Sequence, residues 1–214
     1  MAEVSIARDQ ITGLVLAGGQ GTRMGGVDKG LQQLHGQAMV AHIIARLAPQ
    51  VQTLAINANR YSDDYAAFGY PLWPDLLDGF AGPLAGLHSG LTHCRTDYLA
   101  ATPCDAPLLP IDLVHRMAEA LEQQKADAAL AVTGTASRRQ PHPVFCLLNK
   151  NLLPALTSYL QADGRKMGHW LASIHSVAVP FEDETAFSNI NTRQELQQLE
   201  QREQPQAAAK TESK

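Results

Sequence analysis

A chain of 214 residues, 45% of them hydrophobic, is long enough for one α/β domain with a full apolar core. Its formal net charge of −4 argues against a general nucleic-acid binder, which usually carries a basic excess. Cys94, Cys104 and Cys146 are odd in number and lack C-x-x-C spacing. They argue against a disulfide framework and a structural zinc site, and reduced thiols suit the cytosol. Met1 to Gln10 lacks the apolar core of a signal peptide, and no apolar run approaches the ~20 residues that cross a bilayer. The expectation is a cytoplasmic protein that engages neither nucleic acid nor membrane.

Residues 11–17 (ITGLVLA) form an apolar run ending in glycines, the pattern of a buried parallel strand. Residues 18–30 read as a glycine-rich loop. Met39, Val40, Ile43, Ile44 and Leu47 have helical spacing, and Pro49 ends that helix. Residues 53–58 predict a second strand and 61–68 a short helix. Gly82-Pro83 opens a helix over 84–91. Residues 98–102 (YLAAT) predict a third strand, stopped by Pro103. The stripe Leu113, Val114, Met117 and Leu121 marks an amphipathic helix over 111–124. Strands follow at 128–133 and 144–148, and helices at 152–160 and 167–173. A strand at 176–179, a helix at 192–201 and a disordered tail at 204–214 complete the chain. Alternating strands and helices predict a three-layer, mostly parallel, Rossmann-like sheet covered on both faces. The single domain spans 1–203, with a nucleotide-binding half at about 11–110 and an acceptor-binding half at about 111–203.

Ligands in such sheets bind beyond the carboxyl ends of the strands. That rule selects Gly18 onward, Asn57 with Asn59, and Cys104 with Asp105. Residues 16–29 read L-A-G-G-Q-G-T-R-M-G-G-V-D-K. Glycines let backbone N–H groups approach polyphosphate, while Arg23 offers a planar fork and Lys29 a point charge. A Walker A loop fails here, because Lys29 lies between Asp28 and Gly30. The dinucleotide fingerprint fails at Met24. Asp105, between Pro103 and Pro107, is either a turn residue or a ligand for Mg²⁺, which one or two carboxylates hold together with substrate phosphates. Asp75 reads alone as a surface turn acid. Arg138-Arg139 and Arg165-Lys166 are either solvated turns or basic rims for an anionic second substrate. The eight histidines show no paired metal spacing.

The loop at 16–29 resembles the signature loop of nucleotidyltransferases that release pyrophosphate, and in particular that of the molybdenum cofactor guanylyltransferases. The resemblance extends through Asn57, Trp73-Pro74-Asp75, 82–86 (GPLAG), 103–107 (PCDAP) and 187–192 (FSNINT), nearly the whole chain apart from its ends. It implies that Leu16, Ala17, Gly18, Gly19, Gly21, Lys29, Asn57, Asp75 and Asp105 form a GTP site, with Asp105 the metal ligand. Arg23, Lys29 and Asp105 would carry catalysis, with Mg²⁺ (or Mn²⁺) as cofactor. Arg138, Arg165, Lys166, Asn189 and Asn191 are candidates for the acceptor, although Asn189, Asn191 or Thr192 equally suits a helix cap. The implied reaction joins GMP from GTP to the terminal phosphate of molybdenum-molybdopterin and releases pyrophosphate. Implied partners are those two substrates, other cofactor-biosynthesis proteins and acceptor molybdoenzymes. A molybdopterin cytidylyltransferase, a sugar-phosphate nucleotidyltransferase and a non-catalytic GTP-binding adaptor remain as alternatives.

Overall fold

Burial along the first strand sets the architecture. Strand β1 (Ile11–Leu16) is buried at all six positions. It pairs in parallel with β4 (Thr53–Asn57) on one side and β5 (Tyr98–Pro103) on the other. A strand flanked and covered on both faces must be apolar throughout. The computed structural model describes residues 6–17, 28–77, 82–135 and 138–203. The predicted tail at 204–214 and most of the glycine-rich loop lie outside them.

The main sheet has six strands in the order β4-β1-β5-β7-β6-β8, with β6 at Ala128–Thr135, β7 at Arg138–Asn149 and β8 at Ser176–Pro180. Helices α1 (Met39–Leu47) and α4 (Leu113–Gln124) turn their apolar stripes onto one face, where Val40, Ile43, Leu47, Val114 and Met117 join one core. Helices α3 (Pro83–His93), α5 (Leu153–Gln161) and α6 (Met167–Ala172) cover the other face with Leu87, Leu91, Leu156, Leu160 and Trp170. A five-residue helix, α2 (Ser62–Ala66), follows β4. The three-layer α/β arrangement is the expected one. Among the described residues, no helix is long and apolar enough to cross a membrane.

Two features depart from the sequence reading. The β1·β4, β1·β5 and β6·β8 pairings are parallel, but β7 runs antiparallel to both β5 and β6. It is also longer than expected, because residues 138–143 extend the strand rather than lead into it. Pro141 and Pro143 lack the N–H that a ladder needs, and the β6–β7 register shifts between Leu130 and Ala131, opposite this stretch. The second feature is a small hairpin, β2 (Gln33–Leu34) and β3 (Gln37–Ala38), where no element was expected. Its turn, His35-Gly36, has positive φ at both residues (50° and 77°), the geometry of a tight hairpin loop. Leu196 of the last helix, α7 (Arg193–Glu203), and Ile190 just before it pack with Leu34 of this hairpin and Met39 at the start of α1.

Helix α3 lies very close to the sheet. A Cβ at Gly90 would stand 2.5 Å from Leu14 Cδ2 and 2.8 Å from Leu99 Cδ2. Gly90→Val should therefore overpack this contact and lower stability by about 1–3 kcal/mol, read as an earlier midpoint in urea unfolding.

Candidate active site

The order β4-β1-β5 means that the chain leaves β1 towards one side of the sheet and returns to the other. The loops after β1 and β5 therefore diverge and open a crevice at their carboxyl ends. In register, Leu16 stands between Asn57 and Pro103. Ala17 N–H donates to Asn57 O (2.8 Å) and Cys104 N–H to Leu16 O (3.1 Å), so the three strand ends are tied together.

Lys29 and Asp105 meet across this crevice. The Lys29 ammonium donates to Asp105 Oδ2 at 3.0 Å and to Asn191 Oδ1 at 2.6 Å. Three loops, after β1, after β5 and before α7, thus converge on one charge. The backbone on either side is fixed as well. Ile190 N–H donates to Asp105 O (2.8 Å), and the buried Asp28 carboxylate accepts from Gly30 N–H (3.0 Å) and from the Tyr65 hydroxyl. Burial raises the Asp105 carboxyl above its ordinary range, and the Lys29 ammonium opposes that shift. Asp105 Oδ1 is buried with no hydrogen-bond partner among the described residues. A buried carboxylate oxygen left open beside a cation is the kind of atom a divalent metal would satisfy. Among the described residues no cluster of three or more His, Cys, Asp or Glu could hold a metal alone. A one-carboxylate Mg²⁺ site completed by phosphates requires no such cluster.

A second cluster lies at the end of β4. Asn57 is 2% exposed, and its amide donates to Trp73 O (2.8 Å) and Asp75 Oδ1 (2.9 Å). Asn59 donates to Asp75 Oδ2 (2.8 Å) and accepts from Asp75 N–H (2.8 Å). Asp75 is therefore held rigidly with lone pairs to spare, and Asn57 is its support. Gly86 leaves room for that support, since a Cβ there would stand 2.4 Å from Asn57 Oδ1.

On the other side of β5, a cleft of about 630 Å³ opens between β7 and the segment before α7. It exists because β5 pairs with β7 only as far as Cys146, while β7 continues to Arg138. Pro103, Gln140, His142, Asn189 and Glu195 are among its lining residues. His142 hydrogen-bonds Thr133 Oγ1 at 2.8 Å and stacks on Phe187, with ring centroids 4.9 Å apart.

Of the residues singled out from sequence, Lys29, Asp105 and Asn191 come together, as do Asn57 and Asp75. Leu16 and Ala17 are buried beneath the crevice. Asn189 lines the cleft. Arg138, Arg165 and Lys166 are exposed and do not line it, and Arg165 pairs with Asp163 between α5 and α6. Gly18, Gly19, Gly21 and Arg23 lie outside the described residues. Asp28, Tyr65 and Glu195 were not selected from sequence. Asp28 sits inside the quoted loop and offered a signal, but Tyr65 lies 37 residues away and nothing local marks it.

Residues 13–177 match the family model described as MobA-like NTP transferase domain. A protein named molybdenum cofactor guanylyltransferase from Bordetella petrii is 52% identical over 194 residues, covering 91% of this chain and 99% of the relative. The chain belongs to this family. Its members' fold recurs at far lower identity. Molybdopterin-guanine dinucleotide biosynthesis protein A from Archaeoglobus fulgidus aligns with a TM-score of 0.70 at 20% identity, covering 89% of this chain and 97% of that one. The 4-diphosphocytidyl-2C-methyl-D-erythritol synthase of Anaerococcus prevotii aligns with a TM-score of 0.72 at 10% identity, covering 92% and 99%. The MobA-like transferase fold thus carries the crevice described above.

His142 gives this transferase an acid-sensitive point. Burial lowers its pKa below the ordinary 6.5, with Glu184 opposing. As pH falls through 6.5 the unfolded chain takes up a proton before the folded one, so stability must fall. His142→Gln does not titrate and can keep the Thr133 bond. Between pH 7 and pH 5 its unfolding midpoint should decline less than that of the wild type, and parallel declines would refute the assignment.

Proposed function

We propose that this chain transfers GMP from GTP to the terminal phosphate of molybdenum-molybdopterin, forming the guanine dinucleotide cofactor and releasing pyrophosphate. The observation that carries the reading is the Lys29–Asp105–Asn191 junction at the sheet's switch point, in a chain half identical to a named guanylyltransferase along nearly its whole length. Both reactants are anions, so the protein's work is positioning and charge compensation. The pterin phosphate attacks the α-phosphorus of GTP, and the bond to the β-phosphate oxygen breaks. Lys29 meets charge developing on the leaving pyrophosphate, and Arg23 with the N–H groups of Gly18, Gly19 and Gly21 completes that role.

Asp105 is the residue that would hold Mg²⁺, or Mn²⁺ in its place, through the open Oδ1. Such an ion supplies charge neutralisation on phosphate oxygens. Asp75, braced by Asn57 and Asn59, presents acceptors to the base or ribose. A phosphate nucleophile is already ionised, so neither a strong base nor a side-chain nucleophile is required. Cys104, next to Asp105, is unsuited to attack, since burial and the neighbouring carboxylate push its thiol far up. The acceptor occupies the 630 Å³ cleft, lined mainly by the 111–203 half, beside Asn189, while exposed Arg138 and Lys166 supply peripheral positive charge and Arg165 is paired with Asp163. The reduced, buried cysteines suit a cytoplasmic location, from which the product passes to other cofactor-biosynthesis proteins and to molybdoenzymes.

The test is pyrophosphate release from GTP, with CTP and ATP as controls, in the presence of acceptor. GTP should be preferred. Lys29→Ala and Asp105→Ala should each reduce turnover by ~10²-fold, the scale of losing one preorganised charge-stabilising group. Near-wild-type turnover in either would refute the mechanism. Lys29→Arg should restore only part of the loss, because the planar fork does not match the ammonium.

A further inference from the structure

The start of α7 carries a hydrogen-bond pattern that helix capping alone does not explain. Thr192 Oγ1 accepts from Glu195 N–H (3.1 Å), and Glu195 Oε2 accepts from Thr192 N–H (3.1 Å). Those two bonds are a reciprocal capping box. The same Glu195 oxygen, however, lies closer to Asn191 N–H, at 2.6 Å. Its shorter bond therefore goes to the residue before the cap. Asn191 is the residue whose Oδ1 receives the Lys29 ammonium, while its Nδ2 donates to Asn189 O (3.1 Å). The amide orientation is forced, since an ammonium is only a donor and must face oxygen. Glu195 also lines the cleft beside β7. One residue thus lines the cleft and holds the backbone that aims the lysine's partner.

We propose that Glu195 is a positioning residue, which by holding the Asn191 backbone sets the place of the Lys29 ammonium and links the cleft to it. The inference rests on the nucleotidyl-transfer reading above for its kinetic consequence, but not for its geometric one. The neighbouring contacts hold Ile190 and Leu196 but not the Asn191 N–H, whose acceptor is Glu195. Ile190 N–H is tied to Asp105 O, and Ile190 and Leu196 pack on Leu34 and Met39, just beyond Lys29. Loss of the Glu195 bond frees the Asn191 backbone between these anchors, and the amide swings from the lysine.

The experiment compares Glu195→Ala, Glu195→Gln and Thr192→Ala in the full chain. Thr192→Ala and Glu195→Ala each remove half of the capping box, so a purely structural role predicts similar losses in unfolding midpoint and similar kinetics. The positioning role separates them. Glu195→Ala should lower kcat by about tenfold, the low end for losing an outer-shell partner of a functional group, with the KM for GTP changed less. Thr192→Ala should keep kcat within about twofold and Glu195→Gln within about threefold, because Gln retains an acceptor oxygen that serves the same box. Equal kcat in the two alanine variants would overturn the proposal. Crystal structures of both alanine variants give a readout without turnover. The Lys29–Asn191 bond should be lost in Glu195→Ala and kept in Thr192→Ala, and its retention in both overturns the proposal even if wild type releases no pyrophosphate. Should Glu195→Ala not fold, Glu195→Asp, too short by one methylene to reach Asn191, takes its place in both measurements.

Discussion

The site depends on one partly buried positive charge. The Lys29 ammonium is shared between Asp105 and Asn191, each brought by a different loop. A lysine on a flexible stem is normally free to follow solvent. Here its backbone is pinned by Asp28, which Gly30 and Tyr65 hold in turn, and its head group by two acceptors. An ammonium held in place in this way is preorganised, and under the proposed reaction it would lose little freedom on meeting phosphate. Asp105 carries the complementary cost, because its carboxylate is buried with one oxygen unpartnered among the described residues. A paired lysine offsets part of that cost, and a metal with phosphate ligands would offset the rest.

The sheet makes the arrangement possible. Parallel strands β4, β1 and β5 end together, and the change of direction at β1 parts the loops carrying Lys29 and Asp105. The antiparallel strand β7 then serves a different end. By continuing past the end of its pairing with β5, it forms the wall of a second concavity, on the other side of β5 from the crevice. Leu196 of α7 and Ile190 before it close the assembly on Leu34 and Met39, with Asn191 between them meeting Lys29.

Much of this was legible in the sequence because the signals are local. The apolar run of β1, the stripes of α1 and α4, and Asp105 directly after β5 follow from periodicity and from the rule on strand ends. Other parts were not legible, for identifiable reasons. The first half of β7, Arg138 to Pro143, is basic and rich in proline, and so reads as a turn. Its strand character comes from the hairpin with β6. Asn57 was legible as a strand-end residue, but its burial beneath Gly86, and hence its role in bracing Asp75, depends on how closely α3 packs. The Tyr65–Asp28 contact spans 37 residues that sequence spacing does not link, and Thr192-x-x-Glu195 has the spacing of a capping box without revealing the shorter bond from Glu195 to Asn191. For the loop at 18–27, the resemblance supplies roles that the described residues do not address.

The most direct test of the central claim is a calorimetric titration of wild type and Asp105→Asn with GTP, each with and without Mg²⁺. If Lys29 and Asp105 together form a metal-assisted triphosphate site, wild type binds GTP markedly more tightly with Mg²⁺, and the substitution abolishes that gain while leaving the weaker metal-free binding. An equal Mg²⁺ effect in both proteins would show that Asp105 is not the metal's ligand and that the crevice holds the triphosphate in some other way.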